Sequence, residues 1–254
     1  MLNNQTAQKL RTMRLPVMAA EFERQLDSPA MDTLSFDERM GMIVDAEWLS
    51  KEGNRIQKLT KAANLRFSGT CFADIDYRPS RKLDRAHIAR LSDFEWAKAA
   101  RNIILTGATG TGKTWMACAF GAEACRLGHS VYFYRVSRLL GDMAQASATG
   151  TIYKLLAKIR KCHILVLDDW GLTTLTPLES RFLLEIFEER YGEGATIISA
   201  QLPVSKWHDL FEDSTVADAV LDRIIHNSHR IELHGPSLRP AADKDLGEGA
   251  PDGA

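Results

Sequence analysis

The spacing of hydrophobic residues divides this 254-residue chain into a helical N-terminal part and a longer part in which strands and helices alternate. Near the N-terminus, apolar side chains recur at helical spacing. One helix ends before Pro16, a second continues to about Leu26, and the S-x-x-E capping box of Ser35 and Glu38 opens a long third one. The sequence therefore predicts an all-helical domain over residues 1–66.

Beyond residue 100, short apolar runs bounded by turn residues predict five strands with helices between them. This alternation is typical of an α/β fold, in which helices cover both faces of a parallel sheet. The predicted strands are residues 102–106, 131–134, 164–167, 196–199 and 230–233. The predicted helices include residues 137–146, residues 151–160 and a segment that a second capping box, Thr176 to Glu179, opens. In that segment we expect burial of Leu178, Phe182, Leu183, Ile186 and Phe187.

These elements assign residues 67–234 to one α/β domain. Residues 235–254 are rich in Gly, Pro and Asp, and this composition predicts a flexible tail.

Between the first predicted strand and the next helix, an eight-residue turn matches G-x-x-x-x-G-K-[ST], the phosphate-binding loop of nucleoside-triphosphate enzymes. Glycines let such a backbone curl until successive N–H groups point at phosphate oxygens. The lysine brings a positive charge to the β- and γ-phosphates, and the last hydroxyl is a Mg²⁺ ligand. The residues are Gly107, Ala108, Thr109, Gly110, Thr111, Gly112, Lys113 and Thr114. We therefore expect a nucleoside triphosphate and Mg²⁺ to bind here.

Two other strand ends carry polar side chains that suit the same chemistry. Asp168 and Asp169 follow the apolar run 164–167, and carboxylates at the C-terminal edge of a parallel sheet face the phosphate loop. We expect Asp168 to hold the metal, directly or through water, and Asp169 to orient or deprotonate the attacking water. The alternative is an Asp pair that only caps a turn. Ser199 and Gln201 end another strand, where a hydroxyl or an amide can reach the γ-phosphate, although Ser199 can also be a strand-end hydroxyl with no catalytic part.

The formal net charge of −1 excludes a globally basic nucleic-acid coat, so any nucleic-acid surface must be a local patch. No acidic residue occurs between Thr151 and Ile164, and the cations of this stretch are Lys154, Lys158, Arg160 and Lys161. An earlier set is spaced three to five residues apart, which predicts one side of the third helix: Lys51, Arg55, Lys58, Lys61 and Arg66. For that set, a solvated face and contact with DNA phosphates are both open.

The cysteines and the hydropathy pattern indicate the cellular compartment. Cys71, Cys118, Cys125 and Cys162 show no metal-binding spacing, which predicts reduced, buried thiols. No apolar stretch approaches bilayer length, and the N-terminus does not resemble a signal peptide. The sequence thus predicts a cytoplasmic protein without a membrane partner.

A late predicted helix presents Arg223 beside Asp222. An adjacent Asp-Arg pair is more often a surface feature. In a nucleotide-binding domain, a second interpretation is an arginine finger that reaches the nucleotide of a neighbouring subunit. Arg190, which ends the preceding helix, is a lesser candidate for the same role.

Taken together, these segments resemble AAA+ ATPases and, more narrowly, the IstB family of transposition helper proteins, which are relatives of the DnaC-type helicase loaders. The similarity extends from near the N-terminus to about Arg239. It is carried by the phosphate loop, by ILVLDDWGL at 164–172 and by LDRIIHNSHRIEL at 221–233 with the GPSLR that follows. Leu83-Asp84, Arg190-Tyr191 and Trp207 add to it.

The resemblance implies an AAA+ P-loop NTPase with a parallel five-stranded sheet of order 5-1-4-3-2, ATP and Mg²⁺ as ligands, and ATP hydrolysis. It also implies a homo-oligomer on double-stranded DNA that recruits the transposase encoded by the same element. The family's arginine finger matches Arg223. The basic helix with Lys154, Lys158 and Arg160 falls where related initiator proteins contact DNA.

Several positions depart from the family pattern. Trp115 follows the loop where relatives often have His or Ser, Asp169 stands where most AAA+ proteins have Glu, and Gln201 replaces the usual Asn. No C-terminal lid domain follows the sheet, so Arg239 is only a poor equivalent of a second-sensor arginine. A DnaC-like helicase loader is the alternative function. A small-molecule kinase is disfavoured because such enzymes usually carry a lid and an acceptor pocket.

Overall fold

The computed structural model of the protein describes residues 2–238, and the side chains of residues 5–238. The chain divides into two compact units, of which the first is Met1–Leu59 and the second begins at Thr60. The boundary falls inside a long helix. Each unit is described separately below.

The first unit is helical. Its helices are α1 (Leu2–Thr12), α2 (Pro16–Leu26) and α3 (Phe36–Ala63, which continues past the boundary). Pro16 occupies the first position of α2, where a backbone N–H is not needed. The buried carboxylate of Glu47 on α3 accepts the N–H groups of Val17 and Met18, both at 2.9 Å, and so satisfies the first turn of α2.

Helix α3 ends before the last of the cations that were predicted to share its side. Its final residue is Ala63, and Asn64 follows with a φ of +52°, a left-handed conformation in which a helix commonly ends. Lys51, Arg55, Lys58 and Lys61 lie on α3. The prediction is wrong for Arg66, which lies in the connector after the helix.

The second unit alternates strands and helices. Its strands are β1 (Asn102–Gly107), β2 (Val131–Arg135), β3 (Ile164–Trp170), β4 (Ala195–Ala200) and β5 (Ser228–Leu233). Its helices are α4 (Arg85–Leu91), α5 (Glu95–Lys98), α6 (Lys113–Arg126), α7 (Val136–Ala148), α8 (Ile152–Lys161), α9 (Pro177–Arg190) and α10 (Ser214–Ile225). All five predicted strands are present, each extended by one to three residues.

The five strands form one parallel sheet in the order β2-β3-β4-β1-β5, which confirms the predicted order. Ile103 of β1 pairs with Ile197 of β4 on one side and His229 of β5 on the other. The central strands are almost wholly buried because helices cover both faces, and their sequences are correspondingly apolar. Parallel pairing brings the carboxyl ends of β1, β3 and β4 to the same edge.

Helix α9 corrects one predicted core residue. The capping box of Thr176 and Glu179 is present, and the helix buries Phe182, Leu183, Ile186 and Phe187 as expected. Leu178, in contrast, is 54% exposed. At about 100° per residue, the buried four centre roughly 110° around the helix axis from Leu178, which therefore points away from the core.

The thiols mostly follow the prediction. Cys118, Cys125 and Cys162 are buried, and burial raises the pKa of Cys118 and of Cys125 to about 11, so both remain protonated at neutral pH. Cys71 is only half-buried, which the prediction of four buried thiols missed. Among the residues described, no helix has both the length and the apolar character needed to cross a bilayer.

Candidate nucleotide site

The phosphate loop joins β1 to α6 through three glycines in conformations that disfavour other residues. Their φ angles are +147° at Gly107, +83° at Gly110 and +90° at Gly112. A Cβ on Gly107 would lie 2.2 Å from the carbonyl oxygen of Leu233, a backbone atom of β5 that cannot give way. The curled loop is therefore available only to a glycine-rich sequence.

Lys113 folds back over the loop. Its Nζ donates to the carbonyl oxygens of Gly107 at 2.7 Å and Ala108 at 2.8 Å. The ammonium group thus lies above the curled backbone, at the N-terminus of α6, where the helix dipole also favours an anion.

Asp168 lies at the centre of a hydrogen-bonded cluster at the end of β3. Its carboxylate accepts from Thr114 Oγ1 at 2.9 Å, and Ser199 Oγ donates to the same oxygen. The side chain is fully buried, and this burial raises the pKa of Asp168; the neighbouring charge of Asp169 raises it further, against the two hydroxyl donors. The charge of Arg66 also opposes the rise, but burial has the larger effect, and a buried carboxylate of this kind favours a bound cation.

Asp169 is held in an unusual backbone conformation next to this cluster. Its φ is +61°, and the pairing of β3 with β4 shifts register between Leu167 and Trp170, so the two aspartates lie in a bulge. Strained residues of this kind cluster at functional sites. Arg135 Nε lies 3.6 Å from Asp169 Oδ2, and the carboxylate keeps a third of its surface in solvent.

Lys113, Thr114, Asp169 and Gln201 line one cavity of about 320 Å³, which lies within the size range of small-ligand pockets. Gln201 also accepts a hydrogen bond from Thr109 Oγ1 at 2.8 Å, so it contacts the loop directly. Other lining residues are Arg66, Phe67, Gly110, Gly112, Trp115 and Leu238. The structure therefore brings the predicted loop, Asp169 and Gln201 to one place, with Asp168 and Ser199 buried behind Thr114.

A second cavity of about 370 Å³ adjoins the first and shares Gly112, Trp115 and Leu238 with it. Arg81 lines it and is 3% exposed. Its Nη2 donates to the carbonyl of Thr111, whereas Nε and Nη1 are buried and have no hydrogen-bond partner among the described residues. Burial lowers the pKa of Arg81, as expected for a cation removed from water.

The start of the predicted tail contacts the phosphate loop. The N–H of Leu238 donates to the carbonyl of Gly110 at 2.9 Å, and Ser237 fills the space beside Gly110 where a Cβ would lie. Arg239 and the rest of the tail fall outside the described residues.

Arg223 lies far from the phosphate loop of its own chain. Asn102, the first residue of β1, donates to the carbonyl oxygens of Arg223 and Ile224, both at 3.1 Å, whereas the loop begins at the other end of that strand. About 16 Å of strand separates the two ends. The partly exposed guanidinium donates to Ala219 O at 2.7 Å and pairs with Glu188 at 3.0 Å.

Arg190 lies in the core, which makes it unsuitable as an arginine finger. It is 2% exposed, and its guanidinium donates to the carbonyl oxygens of Ile159, Cys162 and Ala195. Arg190, the lesser candidate for the arginine finger, is therefore a structural residue that links α8 to the starts of β3 and β4.

The basic helix α8 presents three of its four predicted cations in one place. Lys154, Lys158 and Lys161 line a groove of about 500 Å³ beside the edge strand β2, and Lys158 Nζ lies 4.5 Å from the ring centroid of Tyr132. Arg160 is not among the groove residues and pairs instead with Glu189 at 3.4 Å.

The fold and the site define an ATPase of the AAA+ class. The sheet order is the predicted one, and the crystal structure of the DnaC helicase loader shares the fold, with a TM-score of 0.52 at 22% identity over 58% of this chain and 86% of the other. The family model described as IstB-like ATP binding protein matches residues 8–245, so the chain belongs to that family.

Relatives from insertion sequences agree with this assignment. A putative insertion sequence ATP-binding protein of Sinorhizobium fredii is 41% identical over 94% of this chain and 97% of its own length. A putative ATP-binding protein of insertion sequence IS1162 from Pseudomonas fluorescens is 40% identical over 81% and 89%. The predicted family, fold and ATPase class are thereby confirmed.

Sequence reasoning missed two arginines of the site. Arg81 belongs to a locally basic stretch whose composition gives no sign that one member is buried under the loop. Arg66 was assigned to a helix face because its spacing continued that of the preceding cations. The end of the helix at Asn64 is the signal that separates Arg66 from the cations of α3.

Proposed function

We propose that this protein is an ATP-dependent, DNA-binding helper of transposition in the cytoplasm. It assembles as a homo-oligomer on double-stranded DNA, recruits or regulates the transposase encoded by the same element, and resets by hydrolysing ATP. The observation that carries the proposal is the distance between Arg223 and its own phosphate loop. Arg223 can therefore complete a nucleotide site only in a second copy.

Mg²⁺ fits the buried cluster behind the loop. Asp168 and Thr114 supply oxygen ligands, which this hard cation prefers, and a cation would balance a carboxylate that burial disfavours. The ion would neutralise charge on the β- and γ-phosphates. Ser199, hydrogen-bonded to Asp168, orients that carboxylate.

The other residues bind and position the triphosphate. Lys113 exchanges its two carbonyl acceptors for phosphate oxygens, while the loop N–H groups and the N-terminus of α6 bind the β-phosphate. The adjoining cavity beside Arg81 accommodates the base and ribose.

Asp169 orients a water molecule for in-line attack on the γ-phosphorus and accepts its proton. The bond from that phosphorus to the bridging oxygen breaks, and ADP and phosphate leave. Gln201 contacts the γ-phosphate, and its hydrogen bond with Thr109 of the phosphate loop supports this role.

Arg223 acts on the nucleotide of the neighbouring subunit. Its ion pair with Glu188 is partly exposed, and such pairs contribute only about 0–1 kcal/mol, so Arg223 can leave Glu188 at little cost. Closing the interface between two copies then depends on the triphosphate, which couples assembly to ATP.

The groove of Lys154, Lys158 and Lys161 binds the phosphate backbone of DNA. The decisive experiment measures affinity for duplex DNA by fluorescence anisotropy at several salt concentrations, with a slowly hydrolysed ATP analogue. Each neutralised phosphate contributes about −0.9 to the slope of log affinity against log salt. Replacing all three lysines by Ala should therefore reduce the slope by about 2.7 in magnitude.

The matched control replaces three exposed cations outside the groove, Lys98, Arg181 and Lys206. That variant should keep the wild-type slope. An unchanged slope in the groove variant, or wild-type affinity that does not respond to salt, would contradict the assignment of the groove to DNA.

The second candidate is a replicative helicase loader, which the structural similarity to the DnaC loader favours. The two functions differ in the client protein. Co-purification with a replicative helicase supports the loader, whereas ATP-dependent co-purification with the transposase encoded beside it supports the helper.

A further inference from the structure

A cation outside the phosphate loop lines the nucleotide cavity. Arg66 lines the same cavity as Lys113, Thr114 and Asp169, although it belongs to the connector between α3 and α4. Its guanidinium carbon lies 5.5 Å from the ring centroid of Phe67, and no carboxylate within residues 5–238 forms an ion pair with it. Nothing in the DNA-binding or subunit roles described above uses this side chain.

The connector is held against α6, so the position of Arg66 is fixed by packing. A Cβ on Gly121 of α6 would lie 2.8 Å from Leu65 Cδ2, which shows how closely Leu65 lies on the helix. One turn nearer the loop, burial raises the pKa of Cys118, and hydrogen bonding from the backbone of Phe67 and Arg66 opposes that rise. Leu65 and the backbone of residues 66–67 therefore anchor the connector at two points of the helix that Lys113 begins.

We propose that Arg66 is a catalytic residue that contacts the terminal phosphoryl group of ATP on its own chain while that group is transferred to water. The proposal rests on the proposed function, because it requires ATP in the cavity. Arg223 would act from the neighbouring subunit and Arg66 from within the same chain, so two arginines would flank the transferred phosphoryl group.

Physical chemistry favours an anion at this position. The oxygens of the transferred phosphoryl group spread negative charge in the transition state, and a guanidinium presents a planar fork that matches them. Arg66 also lies close enough to Asp168 for its charge to favour the ionised carboxylate that Mg²⁺ requires, although burial has the larger, opposite effect on the Asp168 pKa.

The test compares steady-state ATP hydrolysis of the wild type, Arg66→Ala and Arg66→Lys. A transition-state contact predicts a fall in kcat of about 10³-fold for the Ala variant, by analogy with arginine fingers. Affinity for a non-hydrolysable ATP analogue, measured by calorimetry, should change by less than about threefold, which is about 0.7 kcal/mol. The Lys variant should recover part of kcat, since it keeps the charge and loses the fork.

The matched control is Lys98→Ala, which removes one positive charge from α5, just before the far end of β1. Its kcat should equal that of the wild type. Thermal unfolding of Arg66→Ala should also match, because the side chain is exposed. If the Ala variant hydrolyses ATP within twofold of the wild type, or loses affinity while keeping kcat, Arg66 has no such role.

Mixing experiments distinguish action within a chain from action between chains. Lys113→Ala cannot use ATP but retains both arginines. In a mixture with Arg223→Ala, the Lys113→Ala subunit should restore hydrolysis, because it supplies Arg223 to the nucleotide of the neighbouring subunit. In a mixture with Arg66→Ala, it should not restore hydrolysis. Restored hydrolysis in the second mixture would overturn the assignment of Arg66 to its own nucleotide. A wild type that does not hydrolyse ATP would instead refute the proposed function.

Discussion

Replacing Arg190 by Ala tests whether this residue is structural or catalytic. The buried guanidinium donates through Nη1 to Ile159 O at 2.6 Å and to Cys162 O at 3.0 Å, and through Nη2 to Ala195 O at 2.5 Å. The Ile159 carbonyl lies in the last turn of α8, that of Cys162 lies just before β3, and that of Ala195 belongs to the first residue of β4. Without Arg190, they lose their charged donor inside the core.

The expected loss of stability follows from these three bonds. A hydrogen bond to a charged group contributes about 1.5–3 kcal/mol, and the cost of burying an unpaired cation, which lowers the pKa of Arg190, offsets part of the sum. We expect Arg190→Ala to lower the free energy of unfolding by about 3–5 kcal/mol. At about 2–4 °C per kcal/mol for a chain of this size, Tm should fall by roughly 6–20 °C.

Urea and thermal unfolding, followed by circular dichroism, measure this effect. The control is Arg181→Ala, an exposed arginine on the same helix, which should stay within about 0.5 kcal/mol of the wild type. Arg190→Lys should also be destabilised, because an ammonium cannot reach all three carbonyls. If Arg190→Ala unfolds at the wild-type midpoint and loses only ATP hydrolysis, the structural role is refuted and Arg190 acts at the nucleotide.

Three further changes test the site. Asp168→Asn should abolish hydrolysis yet raise Tm at pH 8. Burial raises the pKa of Asp168, so ionisation of this carboxyl destabilises the native state of the wild type. The increase in Tm should therefore shrink as the pH falls towards the usual carboxyl pKa near 4. A lower Tm at pH 8 would contradict this. Asp169→Asn should bind ATP and stay assembled on DNA, and wild-type turnover in this variant would exclude Asp169 as the base. Arg81→Met should raise the KM for ATP about tenfold, or about 1.4 kcal/mol, because the loop loses the hydrogen bond from Arg81 to the Thr111 carbonyl. An unchanged KM would exclude a role for that hydrogen bond in ATP binding.

The fold was predictable because local patterns and sheet topology agree. Buried strands of a parallel sheet read as continuous apolar runs, so β1, β3 and β4 could be located from composition alone. The strand order was predicted from the family resemblance, because the apolar pattern of a strand does not show which strands lie beside it in the sheet. Leu178 was misplaced because helical periodicity gives a face but not its orientation towards the sheet.

The candidate site was predictable where chemistry is local in sequence. The phosphate loop and the aspartate pair are contiguous motifs, and the cluster of Asp168 with Thr114 and Ser199 follows from their places at adjoining strand ends. The roles of Arg66, Arg81 and Arg190 could not be predicted, because an arginine's role depends on what surrounds it in space. Arg190 and Arg223 look alike in sequence, yet one is buried and the other is partly exposed.

The central claim is that the nucleotide site of one copy is completed by Arg223 of a second copy. Sedimentation velocity of the protein with duplex DNA and a slowly hydrolysed ATP analogue tests it directly. The account predicts oligomers on DNA only when the analogue is present, and none with Arg223→Ala, although that variant still binds the analogue. A wild type that remains a monomer with both ligands, or an Arg223→Ala variant that assembles equally well, would contradict the account.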